Sequence, residues 1–155
     1  MDVTKVQYTG LKLNDNMVNV RVDLFGPDGK LKDFREIHNL VTTAGKQHIA
    51  DQLSSSPGGS AMSHMAVGTG TNAAAVGDTA LQTELDRNAL TSRTDSGAVV
   101  TYVGDWAAGD GTGAITEAGI FNASSSGTML ARSVFSAINK GAGDTLQITW
   151  TLTIS

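Results

Sequence analysis

Cysteine is absent from this 155-residue chain. That excludes disulfides, thiol catalysis, iron–sulfur clusters and thiolate zinc sites together, although it does not locate the protein in a redox compartment. Aromatic residues are scarce, with four Phe, two Tyr and two Trp, so the core must be aliphatic and the stacking platforms that sugar clefts use are thin. Positive charge is also scarce: 11 Lys and Arg against 15 Asp and Glu give a formal net charge of -4, and no basic cluster occurs. A phosphate backbone therefore finds no electrostatic footprint, and no nucleic-acid partner is expected. No apolar run approaches the roughly 18 residues of a membrane helix, so no membrane partner is expected either. The start, Met1-Asp2-Val3-Thr4-Lys5, lacks the basic and then apolar regions of a signal peptide, and export by the ordinary secretory route is not expected.

What the chain does have is 18 Gly against two Pro, with abundant Thr, Ser and Ala, the composition of short strands joined by tight turns. The clearest strand is the last. Leu146, Ile148, Trp150, Leu152 and Ile154 alternate with Gln147, Thr149, Thr151 and Thr153, giving one buried face and one face of short polar side chains. A second strand, Val18 to Leu24, stops at the turn Phe25-Gly26-Pro27-Asp28-Gly29. Leu31 to Leu40 returns as a more charged edge strand. Met62–Val67, Val99–Trp106, Ala114–Asn122 and Met129–Ile138 read as further strands separated by Gly-rich turns. Leu81, Leu85 and Leu90 fit a helical turn or an irregular strand equally well. One short α-helix is expected over about residues 43–54, capped by Thr42 or Thr43, with Ala44, Ile49 and Leu53 as its apolar stripe. The expectation is a mainly β single domain, a β-sandwich or jelly-roll-like fold over 17–155, preceded by an arm or edge strand over 1–16.

Candidate chemistry is sparse. Gly68-Thr69-Gly70-Thr71-Asn72 has the look of a phosphate-cradling loop, but Ala73-Ala74-Ala75 follows where a nucleotide loop needs a Lys-Ser/Thr pair and a helix. A tight turn is the better reading. His38, His48 and His64 are too far apart in sequence for a helical metal pair. Asp105, Asp110 and Glu117 flank a Gly-rich loop, yet Trp106-Ala107-Ala108 interrupts the alternation a calcium loop requires. No Gly-x-Ser-x-Gly elbow is present. These readings imply no catalytic residues, no metal and no cofactor. Glu84, Arg87 and Glu117 lie beside apolar positions, so they must be paired if buried. The expectation is that Arg87 bridges a carboxylate, Glu117 foremost, and pins a loop to the sheet, with three solvated side chains as the alternative.

Several segments, taken in order, resemble a recurrent type of tailed-bacteriophage virion structural protein. They are Asn39–Gly45, Met65–Gly70, Gly77–Leu85 with Arg87 behind it, Ile115–Asn122, Gly127–Arg132, and Lys140 leading to Asp144–Trp150. The resemblance runs from Asn39 to Ser155 and implies a β-sandwich-like fold and a structural role as a head decoration (cement) protein, head fibre, or tail-fibre and baseplate module. It carries no catalytic residues. On it rest the expectations of a homotrimer on the outer capsid surface, made in the host cytoplasm and bound to the major capsid protein. A tail-fibre, collar or baseplate adaptor is the second reading and a virion-associated glycan hydrolase a remote third. The interface is placed on the hydroxyl face of the last strand, Thr149, Thr151 and Thr153, together with Met62 and Met65, because Met adapts to irregular contacts.

Overall fold

The computed structural model describes residues 20–54 and 59–154. The described residues form ten strands and one helix: β1 (Val20–Phe25), β2 (Leu31–Ile37), β3 (Leu40–Val41), α1 (Thr43–Leu53), β4 (His64–Gly68), β5 (Glu84–Ala89), β6 (Ser92–Ser96), β7 (Val99–Trp106), β8 (Gly113–Phe121), β9 (Met129–Lys140) and β10 (Thr145–Thr153). They make two antiparallel five-stranded sheets, ordered β2-β1-β10-β7-β6 and β3-β9-β8-β4-β5. The two face each other as a β-sandwich. The arm expected over 1–16 lies outside the described residues.

Alternation along the strands builds the core. In β10, Leu146, Ile148, Trp150 and Leu152 are buried, while Gln147, Thr149, Thr151 and Thr153 are half-buried on the outer face. Val20, Val22 and Leu24 of β1 pair directly with Trp150, Ile148 and Leu146, so one apolar layer spans both strands. Met65 and Val67 of β4, Ile115, Ala118 and Ile120 of β8, and Phe135 and Ile138 of β9 meet that layer from the other sheet. Each large side chain so buried contributes on the order of 2 kcal/mol. Close packing also explains Gly104: a Cβ there would approach the Met65 sulfur to 3.0 Å.

The first sheet has one dry face, but the second has two. Residues 115–121 of β8 are buried without interruption, because the segment 69–83 lies across the outer face and encloses a second apolar cluster of Ala66, Leu81, Phe121 and Met129. The edges are tied as well. Pairing between β8 and β9 slips between Ile115 and Glu117, which frees the carbonyls of Ser136 and Ala137 on β9. Arg35 of β2 donates to both and so closes one side of the sandwich. On the other side β5 and β6 are consecutive strands in different sheets, joined around Leu90 and Thr91, whose amides donate to the Ser63 and Val103 carbonyls. The β9–β10 turn is closed by Asp144, which accepts from the Gly141 amide and from Lys32.

Thr42 is the N-cap of α1: its hydroxyl accepts from the Gly45 amide at 2.9 Å and donates to the Met129 carbonyl. The expected stripe holds in part, since Ile49 packs against the core. Gly45 and His48 form its buried face, whereas Leu53 is 80% exposed. The backbone rather than a side chain sets this orientation, since a Cβ on Gly45 would stand 2.1 Å from the Leu130 carbonyl oxygen. The helix rests directly on β9. Leu85 and Leu90 fall on and just after β5, settling the ambiguous segment as strand, and β6 was not anticipated because Ser92-Arg93-Thr94-Asp95-Ser96 has no apolar alternation.

Gly45→Ala is expected to destabilise the domain by about 1–3 kcal/mol, the usual cost of overpacking. Gly77→Ala, where a Cβ meets nothing within 4 Å, should melt with the parent. Paired thermal denaturation decides, and equal melting of the two variants would contradict the proposed seating of α1.

Candidate functional site: a buried carboxylate cradle

The most concentrated chemistry lies on the outer face of the second sheet. Glu117 sits in the middle of β8 opposite Gly68 of β4 and Val134 of β9, and it is fully buried. One carboxylate oxygen, Oε1, accepts from the Gly70 amide at 2.9 Å and the Thr83 amide at 2.8 Å. The other, Oε2, accepts from the Gln82 amide at 3.0 Å and from Nε and Nη2 of Arg132 at 3.0 and 2.8 Å. Arg132 projects from β9 beside it and uses its remaining donors on the Asp78 carboxylate and the Ala73 and Asn72 carbonyls. The guanidinium thus donates four hydrogen bonds in addition to the Nη2 ion contact with Glu117.

The glycines make this approach feasible. A Cβ on Gly68 would fall 2.3 Å from the Thr83 carbonyl and 2.6 Å from Glu117 Oε1, and one on Gly70 would fall 2.5 Å from the same oxygen. The remaining loop amides are also accounted for. Thr69 donates to the Thr83 carbonyl, and Thr71 and Asn72 both donate to the Gln82 side-chain oxygen. The Thr116 hydroxyl returns a bond to the Gly70 carbonyl. The carboxylate of Glu117 is therefore cradled by three amides from two stretches, Gly70 from one and Gln82 and Thr83 from the other.

Arg87 has a different role from the one expected. It grips Glu84 with Nε and Nη2 at 2.9 and 2.6 Å, stacks on the Phe121 ring at 3.7 Å, and donates through Nη1 to the carbonyls of Ala123 and Ser126. It does pin a loop to the sheet, with Glu84 rather than Glu117 as its carboxylate. Strand order is the reason. Arg87 is on β5, separated from β8 by β4, a distance of roughly 10 Å across two strand spacings, whereas Arg132 is on the adjoining strand β9.

The other candidates are dispersed. Asp105 accepts from Gln147 and Thr91 on the first sheet, far in role from Glu117. His64 contacts the Ser63 hydroxyl, His48 is buried under α1, and among the described residues no cluster of three or more metal-ligating side chains forms. Met62 and Met65 are 3% and 0% exposed in the main core, so their placement at an interface is corrected: Met65 lies on β4, which is covered on both faces, and Met62 just before it packs into the same core. Thr149, Thr151 and Thr153 do lie on an outer face, paired with Val103, Thr101 and Val99 of β7.

Burial by itself would push the Glu117 carboxyl up. The Thr83 and Gln82 amides, the Arg132 guanidinium and the Gly70 amide outweigh it, and the net pKa lies below the ordinary 4.5. A carboxyl whose folded pKa is depressed adds stability that is complete above its unfolded value and is lost as pH falls through the folded one. Lys140, buried at the end of β9, shifts downward because of burial, opposed by Asp110, Asp144 and Asp86, and its ammonium donates to the Ala107 carbonyl. No family model, curated protein or solved structure matches the chain, so what the cradle does is read from its own geometry.

Removing one side of the buried pair leaves the other charge uncompensated, which typically costs about 3–5 kcal/mol. Arg132→Met and Glu117→Ala are each expected in that range by denaturant titration, and Arg87→Met well below it, since its partner Glu84 is solvent-facing. Glu117→Gln should flatten the loss of stability on acidification below pH 4.5, as followed by unfolding at stepped pH. A pH profile identical to the parent's would place the acid sensitivity elsewhere.

Proposed function

We propose that this chain is a non-enzymatic structural protein of a tailed-phage particle, a decoration (cement) protein that packs as a homotrimer on the outer capsid surface and holds neighbouring major capsid subunits together. Its mechanism is mass action: surface buried against two or more subunits raises the free energy needed to separate them. The observation that carries the reading is where the resembling segments meet. Met65–Gly70, Gly77–Leu85, Ile115–Asn122 and Gly127–Arg132 supply Gly70, Asp78, Gln82, Thr83, Glu117 and Arg132, which are joined into one network through Glu117 and Arg132. What these segments have in common is thus a strut whose donors and acceptors are spent internally, a feature suited to rigidity rather than to turnover.

The face offered for packing is the outside of the first sheet. Thr149 and Thr151 of β10 lie beside Val103 and Thr101 of β7. At its margin Phe34 is 47% exposed with the Arg21 guanidinium 4.3 Å from its ring centroid. Short hydroxyl side chains leave a flat, low-entropy surface, and the half-exposed Phe34 supplies an apolar anchor of the kind that dominates interface energies.

Native mass measurement is expected to give three copies, and the protein should bind empty capsid shells in preference to isolated tails. Thr151→Arg should weaken that binding at least tenfold while leaving the melting temperature within a degree or two, as expected for a surface change. Preferential binding to tails would favour the adaptor reading instead. A monomer without affinity for any particle component would overturn both.

A further inference from the structure

Where the loop between β7 and β8 closes one end of the sandwich, the apolar core gives way to polar groups drawn from both sheets. Trp106, the last residue of β7, is 1% exposed, and its indole Nε1 has no hydrogen-bond acceptor in the protein. Native folds rarely leave a buried polar hydrogen unmet.

Gly111 shows where that hydrogen lies. The loop turns through positive φ at Gly109 and Gly111, which brings the Gly111 backbone down onto the indole. A Cβ added to Gly111 would stand 3.1 Å from Trp106 Cδ1, the carbon bonded to Nε1, and 3.6 Å from Asp86 Cβ. Asp86 belongs to the other sheet. It pairs with Val67 of β4, whose side chain lies in the core, and residues paired across strands share a face. The half-buried Asp86 side chain is therefore on the inner face beside the indole, yet its carboxylate does not bond to Nε1.

Two further contacts meet at this end. Lys140 of β9 is 2% exposed. Its ammonium spends one of its hydrogens on the Ala107 carbonyl at 2.9 Å and lies in the field of Asp110, Asp144 and Asp86. Two residues along β5 from Asp86, the Asn88 side-chain amide donates to the Asp105 carbonyl of β7.

We propose that the end of the core under this loop is the binding site of an internal water, which accepts from Trp106 Nε1 and donates to the Asp86 carboxylate. An internal water typically makes about three hydrogen bonds, and the Lys140 ammonium supplies the third. The water extends the seam that Asn88 and Asp105 begin, joining β5 to β7 across sheets that no strand pairing connects, and it fastens the Gly-rich loop over the core. Trp150 marks the contrast. Its Nε1 also lacks an acceptor, but it is 0% exposed between Val20 and Tyr102 in the middle of the apolar layer, and apolar surroundings of that kind stay dry.

The chain has only these two indoles, so each serves as the other's control. In the isotope-labelled full-length protein their Nε1–H resonances are assigned by Trp106→Phe and Trp150→Phe, and rotating-frame Overhauser cross-peaks to water are recorded. The Trp106 indole hydrogen should show a cross-peak to a long-lived water and the Trp150 hydrogen none. Asp86→Leu, which fills the site with an apolar side chain, should abolish the Trp106 cross-peak, whereas Asp86→Asn, which keeps an acceptor, should retain it. A Trp106 hydrogen silent toward water in the parent, cross-peaks of equal strength at both indoles, or a Trp106 cross-peak that survives Asp86→Leu would each overturn the proposal.

Discussion

A carboxylate held at zero exposure between two sheet-lining strands has to be neutralised from its own surroundings, and the outer half of this molecule is arranged around that requirement. Glu117 is the only acidic side chain in β8, and water does not reach it. Three amides from the segment 69–83 and a guanidinium from β9 meet its two oxygens. The same bonds hold that segment across the face of the second sheet, and the segment in turn buries Leu81 against Phe121 and Met129. If the carboxylate were removed, three amides and Arg132 would lose their partner at once. The ion pair is therefore less a source of net stability, given the desolvation it costs, than a device specifying where a long non-repetitive segment must lie.

This organisation separates the two sheets in character. The first, with β10 at its centre, is stabilised by apolar burial on one face and leaves the other face to solvent or partners. The second is covered on both sides and is consequently the rigid half. Arg87 extends the same logic to the neighbouring loop, where Ser126 and Gly127 adopt positive φ and two carbonyls would be left unbonded without its guanidinium. Two arginines, one per loop, hold in place the connections that strand pairing leaves free.

Much of the fold could be read from the residues, and the limits have physical causes. Strands with one wet face were legible because period-2 alternation records burial on a single side, as in β1 and β10. β7 and β9 were found nearly to the residue. β6 escaped because an edge strand of polar residues buries nothing that periodicity can register. The apolar stripe of α1 was legible in part: Ile49 packs against the core, but Gly45, which has no side chain to count, also faces the sheet, while Leu53 faces out. Met62 and Met65 were assigned outward on the flexibility of methionine, although both are buried in the core, Met65 on a strand covered on both faces.

The cradle was half legible for a similar reason. Its glycines, its acid and the ordered segments that contain them all stood out in the sequence, but Gly68–Asn72 read as a tight turn, and its one amide on the carboxylate, that of Gly70, was not anticipated. The identity of the anion and of the counter-cation depends on strand order, which no local pattern encodes. Glu84, Arg87 and Glu117 looked like one network because Arg87 is close to Glu84 in sequence and all three flank apolar residues. In space β4 intervenes, and Arg132 takes the place assigned to Arg87. A buried acid in a strand bounded by apolar residues on both sides implies a cation on an adjacent strand. In a chain with only 11 Lys and Arg, the strand-borne arginine inside the longest apolar-rich strand, β9, is the one whose own burial would otherwise be unexplained.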